Sequence, residues 1–250
     1  MKYGIIGAGN VGLTFAHYLS ISDKNFLVFT HSINEKSSVF RYIPESAFTE
    51  DFDYLVHNSD TIFIATPDYA IEKTIDSIND ISKQKNIVVF SGSFSSKEKR
   101  IYNLHPAASI PQPVFDDNFV KEIVFTAKSS PFIEKLKNDL QIQIVYISNY
   151  SPLYHAGAMM ASNFITILLF AAENILKNFT KNKNDIKRLM KSFSSTGLNA
   201  YFEKHKISGP ISRGDLSTID NHKSALRGKK EGIIYRALIK YGVNHLNAKK

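Results

Sequence analysis

The chain of 250 residues contains no cysteine. Disulfides, thiolate nucleophiles and cysteine-ligated metals are therefore excluded, and a cytoplasmic setting is the expectation. Metal-site signals are missing as well. The histidines are scattered, and none stands at ligand spacing with an acidic partner, so no metal is expected. There is no Gly-x-Ser-x-Gly, P-loop or zincin motif, no internal repeat and no low-complexity linker. The most apolar run, Ala156–Ala172, is interrupted by Ser162, Asn163 and Thr166. It is short and polar for a membrane span and reads as a buried helix, so no membrane partner is expected. Lys2 followed by apolar residues superficially resembles a leader sequence, but the glycine spacing, Asn10 and the lack of a small-x-small cleavage site argue against one. Acid is also scarce: 23 Asp and Glu stand against 31 Lys and Arg, a net charge of +8. Lysines cluster from Lys177 to Lys191 and at the C-terminus. Such runs are either a solvated basic face or a field that draws in anionic cofactors and acids. No nucleic-acid motif accompanies them, so no nucleic-acid partner is expected.

What is present starts at the first residues. Tyr3-Gly4-Ile5-Ile6 reads as a buried strand that runs into Gly7-Ala8-Gly9-Asn10-Val11-Gly12, after which Val11, Phe15, Ala16 and Leu19 recur at helical spacing. Strand, glycine turn and helix are the context in which Gly-x-Gly-x-x-Gly binds a dinucleotide. Gly7 allows the tight turn, Gly9 admits the pyrophosphate, and Gly12 lets helix and strand pack. The helix start offers N–H groups and partial positive charge to phosphate. The second strand, Asn25–Phe29, ends in Thr30-His31-Ser32, where an NAD-binding chain carries an acid. With Lys36 and Arg41 nearby, this end favours a 2′-phosphate, hence NADP(H).

Further strands follow at Asp60–Ala65, Ile87–Phe90, Ile123–Ala127 and Ile142–Ile147, with a short one closed by His105. Thr66-Pro67 and Ser91-Gly92-Ser93 fall at carboxyl ends, where open α/β sheets bind ligands. Helices are expected at Ile71–Ile81 and Phe132–Leu140. The alternation predicts a mostly parallel, doubly wound Rossmann sheet. After Pro152 no strand remains: helices are expected over Leu153–Phe179, Asp185–Phe202, Leu216–Leu226 and Glu231–Tyr241. The expected organisation is thus a dinucleotide-binding domain over 1–150 and an all-helical substrate and dimerisation domain over 151–250.

Several segments span nearly the whole chain: Asp60–Asp68, Ser91-Gly92-Ser93, Leu104-His105-Pro106, Tyr154–Phe164, and Gly209-Pro210-Ile211-Ser212-Arg213-Gly214-Asp215 with His222. With the glycine fingerprint and the helical second half, they resemble the ketoacid and imine reductases. That group includes ketopantoate reductase, β-hydroxyacid dehydrogenases and pyrroline-5-carboxylate reductase. The chain is more similar to a branch that joins a Rossmann-like domain to a helical domain of unknown function, one part of which resembles an alternative type of ketopantoate reductase. The resemblance implies NADPH-dependent reduction of a small 2-oxo acid, 2-dehydropantoate to pantoate in pantothenate synthesis. One departure stands out. β-Hydroxyacid dehydrogenases carry a Lys four residues before an Asn on the linking helix; aligned on Asn163, that position is Met159.

Reducing a ketone with a hydride leaves an alkoxide that needs a proton and a fixed carbonyl. His155 and Asn163, eight residues apart on one expected helix, would share a broad face. His155 is then the candidate acid, or a histidine satisfied at a helix start. Asn163 is the candidate carbonyl anchor, since an amide in the most apolar helix needs a partner. Arg213 suits a carboxylate, and Asp215 either holds Arg213 or caps the next helix. Lys223 is a reserve for the missing lysine. Thr66, Pro67 and Ser93 would line the nicotinamide end. His105 is either a site residue or a loop histidine satisfied by backbone. An imine reductase of the pyrroline-5-carboxylate type and a non-catalytic NADP-binding sensor are the alternatives. The long apolar helix carries more hydrophobic surface than a small domain hides, so a homodimer is expected.

Overall fold

The structure, a computed structural model, describes residues 1–247. The chain divides into two compact units between Ser162 and Asn163, one helix beyond the expected boundary at 150. In the first unit, β1 (Lys2–Ile6), β2 (Asn25–Phe29), β3 (Phe48–Thr49), β4 (Thr61–Ile64), β5 (Asn86–Val89) and β6 (Ile101–Asn103) form one sheet in the order β3-β2-β1-β4-β5-β6. Every pair is parallel. This is the Rossmann order, in which the chain reverses direction beside β1 and opens a crevice at the carboxyl edge.

Side-chain alternation explains why both faces are covered. Tyr3, Ile5, Phe63 and Val88 point to one face, where they join Phe15, Ala16 and Leu19 of α1 (Asn10–Ile21). Ile6, Ile62, Ile64, Ile87 and Val89 point to the other. There they meet Leu55 and Val56 of α2 (Phe52–His57) and Ile71, Ile75 and Ile78 of α3 (Ile71–Ile81).

The later strands do not extend this sheet as the alternation suggested. β7 (His105–Pro106), β8 (Val124–Ala127) and β9 (Gln143–Tyr146) form a separate three-stranded sheet, with β7 antiparallel to β8. Leu104 still donates its N–H to the Val89 carbonyl at 3.0 Å. The chain then leaves the short β6, and Pro106, which has no N–H, limits the next ladder to two residues. Two helices, α4 (Asp117–Glu122) and α5 (Pro131–Leu140), accompany this sheet, and α6 (Pro152–Ala161) closes the unit.

The second unit holds α7 (Asn163–Leu176), α8 (Lys183–Lys204), α9 (Pro210–Arg213), α10 (Leu216–Ala225) and α11 (Glu231–Asn247). The expected single helix over Leu153–Phe179 is interrupted at Ser162, whose φ of −125° and ψ of −78° leave the helical region. The expectation of burial fails too. By length and composition Pro152–Leu176 is apolar enough to cross a membrane, with mean hydropathy 1.5, and none of its most apolar window is buried. It is longer than the run that sequence marked. Among the described residues of the second unit, the buried large apolar side chains are Ile186, Ile219 and Leu226. So few helices enclose no centre deep enough for all their apolar residues.

Candidate functional site

The first unit presents two neighbouring features at the carboxyl edge of its parallel sheet. The first is a cleft of about 530 Å³ over the ends of β1, β2 and β4. Of the residues named from the sequence, Gly7, Thr30, His31, Ser32, Lys36 and Thr66 line it, together with Ala8. The glycine turn has the required shape. Gly7 adopts φ +113°, which side chains resist, and a Cβ on Gly12 would collide with the Gly7 carbonyl oxygen. A Cβ on Gly9 would instead enter open space, with nothing within 4 Å. Gly9 is the N-cap of α1 and no side chain caps the helix. The first-turn N–H groups, from Asn10, Val11 and Gly12, therefore face that space as anion donors. Asn10 turns its own amide to the Ile110 carbonyl at 3.3 Å. In the cleft wall the Thr66 hydroxyl is buried without a hydrogen-bond partner among the described residues. An open cradle, an uncapped helix and an orphaned hydroxyl fit a phosphate-bearing dinucleotide.

The end of β2 holds no acid. Glu35 lies further along the cleft, and Glu50 accepts the Ile33 N–H at 2.6 Å. Arg41, proposed from sequence beside Lys36, does not line the cleft; its guanidinium lies over the Tyr42 ring at 4.8 Å. Lys73, Thr74 and Ser77 of α3 line the cleft in its place and were not anticipated. The signal was available: Lys73 and Ser77 are one turn apart, on the helix face opposite Ile71, Ile75 and Ile78.

The second feature joins the ends of β4, β5 and β6. Pro67 leads from Thr66 to Asp68, whose carboxylate accepts the Ser93 hydroxyl. Ser91 Oγ accepts the N–H groups of Ser93 at 3.2 Å and Phe94 at 3.0 Å, and Asn103 donates to the carbonyls of Ser91 and Phe94. The Ser91-Gly92-Ser93 loop is thus fixed from both sides. The His105 ring packs against it so closely that a Cβ on Gly92 would lie 3.1 Å from Nε2 and Cδ2. On its other edge, His105 Nδ1 is 3.0 Å from the Tyr154 hydroxyl. Tyr154 Oη is 2.7 Å from Thr126 Oγ1, and Tyr150 donates to the Thr126 carbonyl at 2.5 Å. His155 stands edge-on to His105, with ring centres 6.1 Å apart. Burial, and then the neighbouring His155, lower the His105 pKa below the ordinary imidazole range, with Asp68 opposing. Burial pushes the Tyr150 hydroxyl up to about 12.

The sequence candidates divide accordingly. Ser93 and His155 belong to this cluster. Tyr154 was missed as a group with a role, although Tyr150 and Tyr154 stand four residues apart on either side of the Ser151 cap. Asn163, Arg213 and Asp215 lie in the second unit. Asn163 is exposed at the start of α7, so its amide is not buried in an apolar helix as assumed. Arg213 is exposed at the end of α9. Asp215 caps α10, accepting the Thr218 N–H at 3.0 Å and its hydroxyl at 2.7 Å. Those two bonds, followed by the charges of Arg213 and His222, hold its pKa below the usual carboxylate range. Lys223 is paired with Asp220 at 2.9 Å. Among the described residues no group of three or more potential metal ligands occurs.

Residues 2–91 match the family model described as NADP oxidoreductase, coenzyme F420-dependent. Residues 123–241 match a domain of unknown function, DUF2520. No curated protein matches the sequence. Among solved structures, a Thermotoga maritima protein is 18% identical, covers 96% of this chain and 97% of its own, and has a TM-score of 0.73. The Plasmodium falciparum pyrroline carboxylate reductase with NADP bound is 15% identical, with 97% and 98% covered and a TM-score of 0.59. A reductive aminase from Aspergillus terreus in complex with NADPH is 11% identical, with 98% and 94% covered and a TM-score of 0.69. At these identities the likeness is one of fold.

Proposed function

We propose that this protein is an NADPH-dependent reductase of a small acid bearing a C=O or C=N bond. The observation that carries the reading is the cleft at the carboxyl edge, with its uncapped α1 start, open Gly9 cradle and acid-free β2 end. The family description matched over residues 2–91 supports the same cofactor. The α1 N-terminus would hold the pyrophosphate, with Ser32, Lys36 and Lys73 serving a 2′-phosphate. Bound NADPH supplies a hydride. The protein's own tasks are to hold the acceptor, exclude water and move one proton, the last assigned to the cluster of His105, Tyr154 and His155. Arg213 suits a substrate carboxylate by the chemistry of its guanidinium.

Two substrate classes follow. The sequence resemblance favours a 2-oxo acid such as 2-dehydropantoate. The fold likeness to a pyrroline carboxylate reductase and a reductive aminase favours an imine. In the second unit the exposed Phe164, Ile167 and Phe170 are assigned to a second copy of the chain, because apolar side chains of this kind are costly to leave in water. The test follows NADPH consumption with 2-dehydropantoate and with pyrroline-5-carboxylate, with NADH alongside. Consumption with one of them, faster with NADPH, is expected. Consumption with neither, by protein that binds NADPH, would contradict both substrate classes and leave a cofactor-binding sensor.

A further inference from the structure

We propose that His105 is the group that gives a proton to the substrate, and that Tyr154 is its positioning residue, fixing the imidazole as the Nε2–H tautomer. The inference rests on the reductase reading above and concerns its carbonyl form. It places on His105 the role that the sequence suggested for His155.

Tyr150 spends its only hydroxyl proton on the Thr126 carbonyl at 2.5 Å. Thr126 then has one proton and three acceptors in reach: Tyr154 Oη at 2.7 Å, Tyr150 Oη at 3.1 Å and the His105 carbonyl at 3.4 Å. In the proposed network it goes to Tyr154, the nearest of the three. Tyr154 therefore has its own proton to donate, and His105 Nδ1 lies 3.0 Å away as acceptor. An imidazole that accepts at Nδ1 carries its proton at Nε2. Among the described residues Nε2 has no protein partner. It lies at the Gly92 edge of the ring, beside the loop that ends β5.

The surroundings keep the ring neutral. Burial and His155 lower its pKa, and Asp68, the acid facing it from the end of β4, is engaged by the Ser93 hydroxyl. A neutral imidazole is a competent donor to an alkoxide, which is far the stronger base. The carbonyl carbon gains a hydride, its oxygen takes the Nε2 proton, and Nδ1 takes the Tyr154 proton. The phenolate left on Tyr154 is held by the Thr126 hydroxyl and takes a proton from water after the alcohol forms.

Two readings of the full chain test the inference. Long-range proton–nitrogen NMR of the imidazoles, without dinucleotide, reports the tautomer. A single Nε2–H form of His105 is expected, becoming a mixture of tautomers in Tyr154→Phe. An Nδ1–H form, or a spectrum indifferent to Tyr154→Phe, would overturn the assignment without any reference to activity. The second reading is NADPH consumption with 2-dehydropantoate. His105→Asn should lower kcat by about 100-fold or more and Tyr154→Phe by about tenfold, with KM nearly unchanged. Consumption by the parent protein with undiminished His105→Asn would sink this inference alone. No consumption by parent protein would sink the reductase reading for this carbonyl substrate and the proton step with it, and the NMR result would still decide the His105–Tyr154 pair.

Discussion

At Gly12 the choice is between a hydrogen atom and a broken turn. A methyl there meets the Gly7 carbonyl oxygen, which is backbone and cannot swing aside. Gly12→Ala is therefore expected to abolish dinucleotide binding and to lower the melting temperature, whereas Gly9→Ala, facing open space, should weaken binding and leave melting unchanged. Cofactor preference is set by single charges too. Lys36→Ala and Lys73→Ala should each weaken NADPH binding by about tenfold and leave NADH binding within about twofold, the range for one charge-assisted hydrogen bond to a phosphate. His105 gives a pH prediction. Its native pKa lies below that of the unfolded chain, so above about pH 6.5 neither state binds the proton and stability is full. As pH falls from there toward the lowered native value, the unfolded state gains a proton that the native state refuses, and stability is lost. Melting temperature should fall more steeply below about pH 6.5 in the parent protein than in His105→Gln. The fingerprint glycines were legible in the sequence because their spacing is rigid. Lys73 and Tyr154 were passed over, because each reaches its place by a helix turning, which shows in the sequence only as polar residues on a periodic background.

The element that matters most is α6. Pro152 at its first turn and Ser151 at its N-cap, accepting the Tyr154 N–H at 3.2 Å, fix where the helix begins. That start aims Tyr154 at His105 and Thr126. Ser151→Ala should cost about 1 kcal/mol of stability in denaturant titration of the first unit's transition and loosen the Tyr154 hydrogen bond. The sequence marked the start of this helix correctly and its end wrongly. Ser162 and Asn163 interrupt the apolar run where the backbone breaks, but no proline or glycine stands there to mark a helix end. The same reasoning covers β7: two residues with a proline carry too little pattern to show that a strand turns antiparallel and begins a second sheet.

At the scale of the whole molecule, alternating strands and helices made the parallel sheet legible, since strands buried on both faces read as short apolar runs. Burial of the helices was not legible. Periodicity shows that a face is apolar, not what covers it. For the same reason the face with Ile167 and Phe170 is expected to be closed by a second chain. Light scattering at micromolar concentration should give twice the 28.2 kDa chain mass, falling to one chain in Ile167→Asp with NADPH binding retained. The most direct measurement needs no substrate: calorimetric titration of the full chain with NADPH and, separately, with NADH. Saturable binding of one NADPH per chain, tighter than NADH by about tenfold or more, is the predicted result. No saturable heat with NADPH would contradict the cofactor site, and with it the proposed reductase.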